Sequence, residues 1–74
     1  MTRLSTLASS KLIKALQKIG FRIERQQGSH IYLKHPDGRA TVVPMHKGED
    51  IGRGLLRKIL RDIKTDPQDF AEIL

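Results

Sequence analysis

The apolar residues of this 74-residue chain change period twice, from 3.6 to 2 and back to 3.6, which restricts the fold to a small mixed α and β domain. Leu12, Ile13, Leu16 and Ile19 fall at i, i+1, i+4 and i+7. That spacing predicts a helix over Lys11 to Ile19, capped by Ser9 or Ser10 and closed by Gly20. From Phe21 the period is two, with Phe21, Ile23 and Arg25 alternating with Arg22, Glu24 and Gln26. After a turn at Gly28-Ser29, Ile31 and Leu33 alternate with His30, Tyr32 and Lys34, and Pro36-Asp37-Gly38 leads into a third strand, Arg39 to Val43. Pro44 ends that strand, Met45 to Asp50 reads as a loop, and Leu55, Leu56, Ile59, Leu60 and Ile63 mark a second helix from near Gly52 to near Lys64. Asp66 followed by Pro67 is a helix start, with Phe70, Ile73 and Leu74 on one side of the short segment.

Strand parity constrains the first hairpin. A two-residue loop at Gly28-Ser29 pairs Gln27 with His30 and puts Phe21 and Ile23 opposite to the face of Ile31 and Leu33. A three-residue loop pairs Gln26 with His30 and gathers all four on one buried face, so an odd loop or a bulge is expected there. The same parity sets Arg22, Glu24, His30, Tyr32 and Lys34 on the opposite, wet face.

Charge narrows the partner. Residues 1–64 carry fourteen Lys and Arg against five Asp and Glu, and the last ten residues carry three acids and no base. So dense a positive field points to a polyanion, nucleic acid first or an acidic protein, because each neutralised phosphate releases condensed counterions. Lys11, Lys14 and Lys18 form one basic helix face, and Arg53, Arg57 and Arg61 recur every four residues on the other helix, with Asp50 and Asp62 as their nearest compensation. A domain this small buries about 60% of its unfolded surface, so chemistry belongs on the surface rather than in a deep cavity. There is no cysteine, which removes disulfides, thiolate nucleophiles and Cys-based zinc sites. Met1 to Ser10 has no apolar run fit for a signal peptide or an anchor, so a cytoplasmic protein is expected, with no membrane partner.

Three histidines are available, His30, His35 and His46, on different predicted elements. Their spacing suits no metal, and none is expected. Ser29 next to His30 does not make a triad, because adjacent strand residues point to opposite faces and no acid stands behind the imidazole. What remains is metal-free cleavage of RNA, in which the 2′-hydroxyl is the nucleophile and the protein supplies a proton acceptor or donor and cations. An imidazole, with a reference pKa near 6.5, can do both proton transfers near neutrality. A histidine at a hairpin is also an ordinary polar turn residue, and residue chemistry alone leaves both readings open for His30.

A resemblance separates them. Ser10-Lys11-Leu12-Ile13-Lys14-Ala15-Leu16 ending at Gly20-Phe21, then Gly28-Ser29-His30, His35-Pro36-Asp37-Gly38-Arg39, Val43-Pro44-Met45-His46-Lys47-Gly48 and Gly54-Leu55-Leu56-Arg57 leading to Ile59-Leu60, resemble in order and spacing the HicA toxins. The likeness runs from about Ser9 to Lys64. It implies an α+β fold of order α-β-β-β-α, similar to double-stranded RNA-binding domains, with a three-stranded antiparallel sheet and two helices on one face. It also implies a ribosome-independent mRNA interferase whose catalytic residue is the histidine of Gly-Ser-His, here His30, blocked by a HicB antitoxin over the active surface.

The expectation is one domain, a core over 9–64 with a C-terminal helical extension at 65–74, acting as a cofactor-free endoribonuclease. Single-stranded mRNA lies on the wet face, with Arg22, Lys34 and Lys47 on phosphates, Tyr32 against a base, and Gly28 and Ser29 shaping the turn that presents His30. His46 is a second candidate and His35 a structural residue. The free toxin is expected as a monomer and the complex with its HicB-like antitoxin as a hetero-oligomer. The rival readings are a non-catalytic RNA-binding module and an inactive copy that only holds its antitoxin.

Overall fold

A computed structural model describes residues 6–46 and 49–74. The order is β1 (Leu7–Ala8), α1 (Ser9–Lys18), β2 (Arg22–Gln27), β3 (His30–Lys34), β4 (Ala40–Pro44), β5 (Asp50–Ile51), α2 (Arg53–Asp62) and α3 (Pro67–Ile73). Strands β2, β3 and β4 make an antiparallel sheet in that order, and β1 pairs with β5 as a separate two-stranded ribbon. The architecture is the expected α+β sheet of three strands with both helices packed on it. The ribbon is an addition, because two-residue strands are too short to leave a periodic signal, and it draws Asp50 out of the predicted loop.

Helix α1 starts earlier than its periodicity suggests, and neither serine caps it. Ala8 is the N-cap without a side-chain hydrogen bond, while the buried Ser9 hydroxyl donates to the Pro44 carbonyl at 3.1 Å. That bond ties the helix start to the end of β4. The helix closes as expected at Gly20, where Gly20 N–H donates to Gln17 at 3.1 Å and Phe21 N–H to Leu16 at 3.0 Å, a Schellman arrangement. Helix α2 ends the same way, with Lys64 N–H on Arg61 and Thr65 N–H on Leu60, but Lys64 occupies the left-handed position at φ 52°.

The core joins Leu12 and Leu16 of α1, Phe21, Ile31 and Leu33 of the hairpin, Val43 of β4, and Leu56, Ile59, Leu60 and Ile63 at α2. Phe70 of α3 belongs to it, at 1% exposure. The tail therefore docks on its own domain, its start capped by Asp66, which accepts Gln68 N–H at 3.3 Å.

Beneath the sheet, His35 fastens β3 to α1. Its Nε2–H donates to the Ile19 carbonyl at 3.1 Å, which leaves Nδ1 to accept Asp37 N–H at 3.1 Å. The Asp37 carboxylate, 2.9 Å from Nδ1, becomes a favourable contact only when the ring is protonated. The ring meets Phe21 edge-on at 5.1 Å between centroids. Arg39 closes the other side, with Nε on Asp37 at 2.8 Å and Nη1 on the Ile63 carbonyl at 2.6 Å, an orphan of the α2 terminus. The Arg39 backbone N–H, donating to Asp37 at 3.0 Å, holds that carboxyl below its ordinary value against the opposing effect of desolvation, helped by the guanidinium.

Candidate functional site

The hairpin between β2 and β3 turns on two residues, not three. Gln27 pairs with His30, Gln26 with Ile31 and Arg25 with Tyr32, then a bulge at Glu24 restores parity so that Ile23 faces Leu33 and Arg22 faces Lys34. The expected pairing of Arg22 and Ile23 is thus reached through a bulge inside the strand, and the expected Gln26–His30 pair is not formed. Gly28 at φ 58°, followed by a serine without positive φ, is the pattern of a tight type II′ connection, which matches the twist of the strands. Ile23 keeps its expected partner Leu33, yet it is 47% exposed rather than in the predicted core, because β2 is an edge strand exposed along its whole length.

In β3 the buried residues Ile31 and Leu33 alternate with His30, Tyr32 and Lys34, which stand on the side away from the helices. His30 is exposed at the turn end, between its cross-strand partners Gln27 and Pro44. The Met45 N–H donates to the Ser29 carbonyl at 2.6 Å and locks the turn to the end of β4. No side chain among the described residues hydrogen-bonds the His30 ring. At the other end of the strand, roughly 14 Å away at 3.4 Å per residue, Lys34 lies opposite Arg22. Like charges directly opposite repel, and the ion pairs among the described residues are His35–Asp37, Arg39–Asp37 and Lys58–Asp62, so neither cation is neutralised. Toward the Lys34 end, Tyr32, Lys34, Ala40 and Val42 line a depression that Glu24 and Asp62 also border. The face thus offers an imidazole at one end, an aromatic ring in the middle and two cations side by side at the other end.

Arg25 escapes strict alternation, which groups it with Phe21 and Ile23. The bulge swings it onto the wet face, where its guanidinium carbon lies 4.2 Å from the centre of the Tyr32 ring. The only hint in the sequence is that an arginine stands at a position of core parity. Lys47 lies outside the described residues. His46 is exposed two residues beyond Pro44, at the same end of the sheet as His30. His35 points into the α1 junction and takes no part in this surface. Among the described residues, no three His, Cys, Asp or Glu side chains are grouped as metal ligands.

On the helix side, Arg53, Arg57 and Arg61 are exposed. Asp62 does not compensate them, because it accepts from Thr41 at 3.0 Å and pairs with Lys58 at 3.3 Å. Lys11, Lys14 and Lys18 are likewise exposed along α1. No helix among the described residues is long and apolar enough to cross a membrane.

Comparison with known families finds that the model described as HicA toxin of bacterial toxin-antitoxin matches residues 9–64, three quarters of the chain. A search of curated proteins finds no match.

Proposed function

Because the chain belongs to the HicA toxin family, a family of toxin-antitoxin toxins, we propose that it is an endoribonuclease that cleaves single-stranded mRNA on the wet face of its sheet. One observation carries the reading: an exposed imidazole, free of hydrogen bonds to side chains among the described residues, shares the wet face of the sheet with Lys34 and Arg22, which stand side by side at its other end. In this reaction the 2′-oxygen forms a bond to the adjacent phosphorus while the bond from phosphorus to the 5′-oxygen breaks. A base takes the 2′-hydroxyl proton, and an acid returns a proton to the departing 5′-oxygen. His30 serves one of these roles. Lys34 and Arg22 hold phosphates of the bound strand at the far end of the face, with Lys47 a further phosphate contact. Gly28 and Ser29 keep the imidazole at the tip of the hairpin. A HicB-like antitoxin that covers this face accounts for neutralisation.

The test compares the purified parent, freed of antitoxin, with His30→Ala on long RNA in EDTA. The expected result is cleavage by the parent and none by a variant of unchanged circular dichroism; equal cleavage, or an inert parent, removes the enzyme. A second reading, RNA binding without cleavage, draws on the exposed Arg53, Arg57 and Arg61. Under it, induced His30→Ala keeps full growth inhibition and charge reversal at Arg53 and Arg57 abolishes it. If induction of the parent without antitoxin leaves growth unaffected, the copy only holds its antitoxin.

A further inference from the structure

The bulge at Glu24 has a product that the cleavage chemistry leaves unused. Counted from Ile23 opposite Leu33, unbroken alternation pairs Arg25 with Ile31, on the side facing the helices; the two-residue turn and the bulge together pair it with Tyr32, on the side of His30. Bulges beside functional sites commonly re-aim one side chain in this way. The re-aimed guanidinium lies over the phenol ring at 4.2 Å. Tyr32 is half-buried and flanked on β4 by its cross-strand partner Val42, while Arg25 is exposed. The ring therefore serves as a floor under the guanidinium of an exposed Arg25. No carboxylate among the described residues pairs with Arg25.

Resting on the proposed ribonuclease function, we propose that Arg25, held over Tyr32, is a nucleobase-stacking subsite that seats a base of single-stranded RNA next to the phosphate presented to His30. Two features select a base over a further phosphate. A guanidinium plane stacks on bases as aromatic rings do, and packing on Tyr32 restrains Arg25 from folding toward the backbone track marked by Arg22 and Lys34. Tyr32 lies two residues from His30 on one strand, about 7 Å at 3.4 Å per residue, so base and phosphate belong to neighbouring parts of one strand. Arg25 is a positioning residue, since it acts on where the strand lies rather than on the reacting atoms.

Binding is measured by fluorescence anisotropy with a labelled, fully 2′-O-methylated RNA, which lacks the nucleophile, and with an abasic strand of the same length and charge. Phosphate contacts contribute equally to both, so the affinity ratio reports base recognition. The parent is expected to prefer the base-bearing strand about tenfold, equivalent to about 1.4 kcal/mol. Both Arg25→Ala and Arg25→Lys are expected to bring the ratio close to one, while Tyr32→Phe, which keeps the ring, retains it. A purely structural Arg25–Tyr32 contact moves the melting temperature and leaves the ratio alone. Retention of the parental ratio in either Arg25 variant, or a parental ratio of one, overturns the subsite. Because the probe cannot be cleaved, this result is independent of the His30→Ala assay, and either idea can fail without the other.

Discussion

Gly20→Ala tests how the sheet is fastened to its first helix. Gly20 has φ 102°, and a Cβ built there falls 2.7 Å from His35 Nε2 and 3.1 Å from Cδ2. The backbone alone costs about 1 to 2 kcal/mol for a side chain in a conformation of this kind. The methyl group also displaces the imidazole. This breaks its hydrogen bond to the Ile19 carbonyl, worth about 1 kcal/mol, and disturbs the edge contact with Phe21, worth about 0.5 to 1.5 kcal/mol. The total is about 2.5 to 4.5 kcal/mol, a large share of the roughly 4 to 11 kcal/mol expected of a domain this size. Urea unfolding followed by circular dichroism reads the loss directly, as a fall in midpoint of about 2.5 to 4.5 M at a slope of about 1 kcal/mol/M. The control is Gly28→Ala, where φ is 58° and a Cβ meets nothing within 4 Å. It carries the backbone penalty alone. In a His35→Ala background the steric part disappears, so Gly20→Ala there should cost no more than Gly28→Ala does in the parent. If Gly20→Ala costs the same with and without His35, the close approach has no energetic role and the reasoning is wrong.

Other consequences are simpler to check. Lys64→Gly relieves a left-handed residue at the α2 terminus and should raise stability by about 1 kcal/mol, measured by denaturant unfolding. Phe70→Ala should cost about 3 to 5 kcal/mol, although Phe70 lies beyond the family-matched residues, because its ring is in the common core; a loss near zero would mean that α3 is detached in solution. Asp37 is depressed below its ordinary value of 3.8, so its charge stabilises the folded state above that value and the contribution fades as pH falls through the lower folded value. Asp37→Asn should therefore melt below the parent at neutral pH, with the gap closing below pH 3.8. A gap that is constant with pH contradicts this.

Periodicity and composition determined a good deal by themselves. The apolar faces of both helices, the alternation along β3, the closure of α1 at Gly20 and the start of α3 at Asp66-Pro67 are local properties, set within a few residues by backbone sterics and one-sided burial. The exposed side of β3 was legible for the same reason: once Ile31 and Leu33 face inward, His30, Tyr32 and Lys34 must face outward. Pairing decisions were not local. Parity demanded one irregularity in the hairpin, but a three-residue turn and a strand bulge satisfy it equally at the far end. Only the packed sheet placed the extra residue at Glu24 and moved Arg25 from the side of Ile31 to that of Tyr32. Ser9 likewise suits a cap on local grounds, yet its hydroxyl reaches the carbonyl of Pro44, 35 residues away. The same holds for His35 at Ile19 and Arg39 at Ile63. A polar side chain near a buried carbonyl takes the partner that burial leaves unsatisfied, and which carbonyl that is depends on how distant segments meet.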